Sequence, residues 1–199
     1  MEPKATRIET AQARRQLIVE TAAACFIEQG FHQTSIRDIA KRAGVSLGNL
    51  YNHFENKAAL IAEIAMLEEQ DLDLIADQVS QISDPSKAFD KFVTLYIEYC
   101  SRPENIMLAA EINSEGLRNP DVGAGFMRNR AKLNSVIAKL ISELPEQHDT
   151  RAVIDPATRA DFVMDLIEGL AMRSAFENRQ PSRKETAALK AVIQKIVLN

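Results

Sequence analysis

Five of the seven prolines, Pro85, Pro103, Pro120, Pro156 and Pro181, stand where an apolar helical rhythm restarts, and this limits the chain to one class of fold. Proline in a first helical turn gives up only an N–H that would have no intrahelical partner. Asp84, Asn119 and Asp155 directly precede three of these prolines as N-caps. Between these points apolar residues recur at three- and four-residue spacing, with neither strand-like alternation nor an Asn-Gly or Asp-Gly hairpin turn. The pattern predicts an all-α chain of nine helices, near 12–29, 36–43, 47–53, 57–80, 85–101, 103–117, 120–143, 156–178 and 181–198. The polar stretch ELPEQHDTRAVID, 143–155, reads as a surface connection.

At 199 residues, 46% hydrophobic and 26% charged, the chain suits one or two soluble domains with a real core. Cys25 and Cys100 lie far apart in apolar surroundings, and no Cys-x-x-Cys or Cys/His spacing offers a metal cage. They are expected to be reduced core thiols in a cytoplasmic protein, with no metal and no cofactor. The charged start lacks the apolar stretch of a signal peptide, and no later segment approaches the ~20 apolar residues of a membrane span.

Net charge is −4, unevenly spread: residues 1–60 carry eight Lys/Arg against six Asp/Glu, and the rest carry sixteen against twenty-two. A basic head on an acidic body fits a nucleic-acid contact at one end, although random scatter accounts equally for an excess of this size. Catalysis finds no support. His32, His53 and His148 are scattered, and no Gly-rich phosphate loop or paired nucleophile appears.

The stretch IRDIAKRAGVSLGNLYNHF, residues 36–54, breaks its helical rhythm once. Ile36, Ile39, Ala40 and Ala43 share one face, Gly44 supplies the positive φ that ends the helix, and Ser46 caps the next. Val45, Leu50 and Phe54 continue inward, and Ala40 lets the second helix cross closely. Two short helices at a steep angle can place the second in a DNA major groove while the first spans the backbone. Leu47 suits a thymine methyl, Asn49 and Asn52 suit base edges, and Gly48 lets backbone approach the DNA. Tyr51, His53, Arg37, Lys41 and Lys57 suit phosphates, as do the free N–H groups of the helix opening at Lys57. Thr34 and Ser35 are placed to cap the helix from Ile36 and to face a phosphate. A solvated helix face is the competing explanation for any one of these residues, and His53 beside Phe54 is equally suited to packing.

The stretch GFHQTSIRDIAKRAGVSLGNLYNHFENKAAL, residues 30–60, resembles the DNA-binding domain of the TetR/AcrR family of bacterial transcriptional regulators. The preceding RRQLIVETAAACFIEQG is similar to that family's first helix, with Ile18, Ala22, Cys25 and Phe26 on its core face. Gly30, Thr34, Ile39, Ala40, Gly44, Val45, Tyr51, Phe54, Lys57 and Leu60 stand where the family pattern wants them. The resemblance implies DNA contacts at Thr34, Ser35, Arg37, Ser46, Leu47, Gly48, Asn49, Tyr51, Asn52, His53 and Lys57. It also implies a homodimer with a ligand-responsive C-terminal domain that leaves its double-stranded operator when a small-molecule effector binds. The expected organisation is a three-helix helix-turn-helix DNA-binding domain, 1–56, joined rigidly to a larger helical regulatory domain, 57–199, for ligand binding and dimerisation. AAEINSEGLRNPDV, 109–122, and LIEGLAMRSAFEN, 166–178, resemble segments of the family's betaine-regulator-like branch.

In the last two helices Phe162, Leu166, Gly169 and Leu170, with Leu189, Val192, Ile193 and Ile196, form stripes suited to a two-fold four-helix interface. Burial inside the monomer explains the same stripes. Candidate pocket residues are Tyr96, Tyr99, Cys100, Met107, Glu111, Phe126, Met127, Met164 and Met172, since aromatic and methionine side chains line adaptable apolar cavities. Apolar residues at helical spacing are equally core. Arg128 and Arg173 offer charge for an anionic ligand. Two other functions share much of this sequence pattern: a DNA-binding factor without effector control, and a helical ligand-binding or interaction module.

Overall fold

The computed structural model describes residues 7–145 and 154–198, with side chains from residue 11. Part of the expected 143–155 connection, His148 included, thus lies outside the described residues. Among those residues nine helices and no strand are found. They are α1 Arg7–Gln29, α2 Ile36–Arg42, α3 Leu47–His53, α4 Lys57–Ser80 and α5 Pro85–Cys100. The series continues with α6 Pro103–Gly116, α7 Pro120–Ser142, α8 Pro156–Phe176 and α9 Arg183–Leu198.

Four of the five prolines open helices, and Asp84 and Asp155 cap α5 and α8 through their carboxylates. Two starts differ from expectation. α1 begins at Arg7 rather than residue 12, because good helix formers extend it ahead of its apolar stripe. α9 begins at Arg183 rather than at Pro181. Ser182 caps it: its N–H and hydroxyl donate to Glu185 Oε2 at 3.0 and 2.8 Å, and Glu185 N–H donates back to Ser182 Oγ at 3.3 Å. This reciprocal box satisfies donors at the helix start, and proline stands just ahead of it.

The chain forms two compact units. The first runs to Glu68 and takes in Met107–Gly125, so it reaches past residue 56 and includes most of α6. Its core joins Ile18, Val19, Ala22, Cys25 and Phe26 of α1 to Ile39 and Ala40 of α2, Leu50 of α3, and Phe54. Leu60, Ile61, Ile64 and Ala65 of α4 and Ile112 of α6 are buried as well. Each large apolar side chain buried to this extent contributes about 1.5–3 kcal/mol. Gly116 and Gly123 close the α6–α7 turn: a Cβ on Gly116 would stand 3.4 Å from Gly123 Cα.

The second unit comprises Glu69–Ile106 and the residues from Phe126 onward. Its core is built on Ala88, Phe89, Phe92, Val93, Tyr96, Ile97 and Cys100 of α5 and on Ala160, Val163, Met164, Ile167 and Ala171 of α8. Leu133, Ile137 and Ile141 of α7, Ile193 and Val197 of α9, Leu72, Ile75 and Val79 of α4 and Ile106 of α6 join them. Buried Arg159 donates to Val197 O at 2.9 Å, so α8 satisfies a carbonyl in the last turn of α9.

Candidate nucleic-acid interface

Residues 34–57 fold as a helix-turn-helix whose ends are capped from within. Ser35 caps α2: its hydroxyl accepts from Asp38 N–H at 3.2 Å, and Asp38 Oδ2 accepts from Ser35 N–H at 3.0 Å. Hydrogen bonds from Ser35, its hydroxyl foremost, hold the Asp38 carboxyl below its usual range. After Ala43 the chain turns at Gly44, φ +67°, and Val45 N–H returns to Ala40 O at 3.0 Å. Ser46 Oγ then accepts from Asn49 N–H at 3.1 Å and starts α3. Leu50 alone on α3 is fully buried, so the rest of this seven-residue helix is left for the surface.

Ser35, Arg37, Lys41, Ser46, Gly48, Tyr51 and Asn52 are exposed, and Leu47, Asn49 and His53 are half-buried. Tyr51 keeps 51% of its surface open, and a Cβ built on Gly48 meets nothing within 4 Å. The structure therefore brings the expected reading residues Leu47, Gly48, Asn49 and Asn52 onto one seven-residue helix. Asn49 is held less freely than expected: its Oδ1 is buried without a hydrogen-bond partner. His53 packs beside Phe54, ring centroids 6.4 Å apart.

Thr34 and Lys57 do something other than expected. Thr34 is buried, and its hydroxyl donates to Cys25 O at 3.1 Å and Gly30 O at 2.9 Å, which withdraws it from any phosphate. Lys57 Nζ turns inward, donating to Phe31 O at 2.5 Å and Thr34 O at 3.0 Å and sitting 4.1 Å from the Phe31 ring centroid. Burial lowers its pKa, against the nearby charge of Glu115. Both residues brace the turn between α1 and α2, since a buried hydroxyl or ammonium needs local acceptors.

The same turn is held from α6, within the same unit. Phe31 N–H donates to Glu111 Oε2 at 3.0 Å, and His32 Nε2 lies 2.5 Å from Glu115 Oε2. Arg15 of α1 is a further brace, reaching Glu63 of α4 and the His53 carbonyl. Sequence reasoning missed Arg15, His32, Glu63 and Glu115. Arg15 and Glu63 lie 48 residues apart and Phe31 and Glu111 lie 80 apart, so no local spacing announces either contact.

The residues expected to line an effector pocket are divided between the two units. Tyr96, Cys100 and Met164 are buried core, and Tyr99 and Met172 pack against them. Phe126 is half-buried, and Met127 is 64% exposed. Met107 and Glu111 belong to the first unit, where Met107 is exposed and Glu111 holds Phe31. An apolar cavity of about 70 Å³ lies between α5 and α9, lined by Phe89, Val93, Ile193, Val197 and Leu144 just past α7, together with Lys190. Ligand sites usually need about 300–1,000 Å³. A polar cluster of this unit joins α5, α7 and α8. Tyr96 OH donates to Glu168 Oε1 at 2.7 Å, and Arg130 donates to the same oxygen at 2.5 Å and to Asp165 at 2.6 Å. Burial pushes the Tyr96 phenol well above its usual range.

Of the expected dimer stripe, Phe162, Gly169 and Val192 are exposed and Leu166, Leu189 and Ile196 are half-buried. Leu170 and Ile193 are corrections: they keep 8% and 1% of their surface and serve the monomer core. Phe176, absent from that expectation, is 81% exposed.

Residues 18–64 match the family described as bacterial regulatory proteins, tetR family. Over 184 residues, 92% of each chain, the sequence is 27% identical to the HTH-type transcriptional regulator UidR of Escherichia coli (strain K12). It is 42% identical to the HTH-type transcriptional regulator AcrR of Shigella flexneri over 64 residues, 32% of this chain and 30% of that one. The structure of Salmonella enterica GusR superposes with a TM-score of 0.77 at 24% identity, covering 98% of this chain and 99% of that one. The fold is thus TetR-like with an N-terminal helix-turn-helix, and UidR and AcrR are HTH-type transcriptional regulators. No helix among the described residues is long and apolar enough to cross a membrane.

Proposed function

We propose that this chain is a cytoplasmic, ligand-responsive transcriptional repressor that binds a palindromic operator as a homodimer and is released by a small-molecule effector. The observation that carries the reading is the α3 surface. A capped seven-residue helix with one buried anchor, Leu50, exposes Gly48, Tyr51 and Asn52 beside half-buried Leu47 and Asn49. Tyr51, Arg37, Lys41 and Ser35 would take phosphates, while Leu47, Gly48, Asn49 and Asn52 would read bases.

Dimerisation through Phe162, Leu166, Gly169, Leu189, Val192 and Ile196 would set two such helices on half-sites about 34 Å apart, or a multiple of that. An effector favouring a different separation would oppose DNA binding, and the coupling is reciprocal. The effector would have to open space in the second unit, whose Tyr96–Glu168–Arg130 cluster offers a hydroxyl, a carboxylate and a guanidinium to a polar ligand. The likeness of 109–122 to the betaine-regulator-like branch is explained in part without a ligand, because Glu111, Ile112, Glu115 and Gly116 serve the first unit.

The test is selection of random duplexes by the purified protein, followed by titration of the selected sequence at two salt concentrations. A palindromic product with a steep salt dependence supports the reading. A folded dimer that enriches nothing overturns it.

A further inference from the structure

α3 has a positional problem. It is seven residues long and fully buries one side chain, Leu50, with Leu47, Asn49 and His53 half-buried, so side-chain packing alone fixes its orientation weakly. Its N-terminal end is tied by Ser46. At its C-terminal end the last carbonyls lack intrahelical partners.

Arg15 of α1 meets that end with its whole guanidinium. Nη1 donates to His53 O at 2.9 Å, Nε and Nη2 donate to the two Glu63 oxygens at 3.2 and 2.6 Å, and the plane lies 4.3 Å from the centroid of the Phe54 ring. His53 is the last residue of α3 and Phe54 its C-cap. A planar fork locked by both oxygens of one carboxylate has little freedom left, unlike a lysine ammonium. Its charge also suits a helix C-terminus.

We propose that Arg15 is a positioning residue for base reading: it fixes the orientation of α3 from α1 and α4, and thereby the operator specificity of the head. The inference rests on the operator-binding function proposed above. Arg15 keeps 39% of its side-chain surface and Glu63 keeps 23%, so the pair does not carry the hydrophobic core.

The experiment uses the full chain as wild type, R15Q, R15K, E63Q and R15Q/E63Q. Each is titrated against the selected operator and an unrelated duplex over a salt series, with thermal melting and amide chemical shifts of residues 47–54 alongside. R15Q is expected to lose about tenfold or more on the operator and less than about twofold on the unrelated duplex, with the salt slope unchanged. R15K, which keeps the charge and stem, recovers part of the loss. E63Q weakens in the same sense, and the double variant is no worse than R15Q, because the two act as one brace. Shifts at 47–54 move in R15Q and R15K while the melt stays cooperative.

Equal losses on both duplexes with a shallower salt slope would make Arg15 a phosphate contact and overturn the inference. A lowered melting temperature with an unchanged operator preference would reduce Arg15 and Glu63 to a structural pair and overturn it too. A wild type that does not tell the duplexes apart overturns the function on which it rests.

Discussion

Glu111 Oε2 and Lys57 Nζ hold the two ends of one peptide turn: the carboxylate takes the Phe31 N–H at 3.0 Å and the ammonium donates to the Phe31 carbonyl at 2.5 Å. An acid on α6 and a base on α4 thus grip the link between α1 and α2. E111A should cost about 1.5–3 kcal/mol, the range for a hydrogen bond to a charged group, while E111Q keeps an acceptor and should cost less. G30A in the same turn should cost about 1–2 kcal/mol, because Gly30 has φ +85°. Denaturant melts of the full chain measure all three.

The reading face yields a contrast between variants. Y51A should weaken binding to all duplexes alike, whereas N49A and N52A should relax preference at particular base pairs by about 1–3 kcal/mol. N49A should also leave the fold as stable as wild type or more so, since it removes a buried acceptor without a partner. Equal, sequence-blind losses from all three would remove α3 as the reading helix. Base-by-base operator substitution measures this.

Gly48 separates folding from docking. Nothing stands within 4 Å of its added Cβ, so G48A should fold normally and gain up to about 0.5–1 kcal/mol of helix stability. The methyl would stand where backbone is proposed to approach DNA, so affinity should fall on the order of tenfold. Gel-shift titration beside a thermal melt shows the opposite signs.

For the proposed dimer, F162E or V192E should yield folded monomers in sedimentation velocity, because both residues are nearly half exposed. I193A should instead destabilise the monomer by about 2–5 kcal/mol, as Ile193 is core.

Acid should destabilise the fold in part through its helix starts. Asp38 and Glu185 sit below their usual range, Asp38 chiefly through the Ser35 hydroxyl and Glu185 chiefly through Arg179. A lowered folded pKa means that the contribution is present above the unfolded value, 3.8 for Asp38, and is lost as pH falls through the folded one. D38N should therefore flatten the acid limb of the melting profile, followed by circular dichroism from pH 5 to 2.

The helices were legible because proline, caps and apolar spacing are local signals, and α9 slipped by two residues only because the Ser182–Glu185 box outranked Pro181. The α3 surface was legible for the same reason. What escaped was long-range. Nothing near Lys57 in sequence says that its ammonium folds back on Phe31 and Thr34, and nothing near Glu111 distinguishes a pocket acid from a turn brace. Helical spacing likewise could not separate Phe162 from Leu170, because an apolar stripe does not say which flank faces its own core.

The two left-handed glycines set different bounds on how far this chain can drift in evolution. At Gly44 the only obstacle is backbone handedness, since an added Cβ meets nothing, and asparagine, which tolerates that region, is an open substitution. At Gly30 the same Cβ would stand 3.4 Å from the carboxylate that holds Phe31. One turn can be rewritten by a single mutation. The other adds a neighbour to the same handedness, since its Cβ would rest against residue 111, eighty-one positions away, so the side chain there helps set what Gly30 can become.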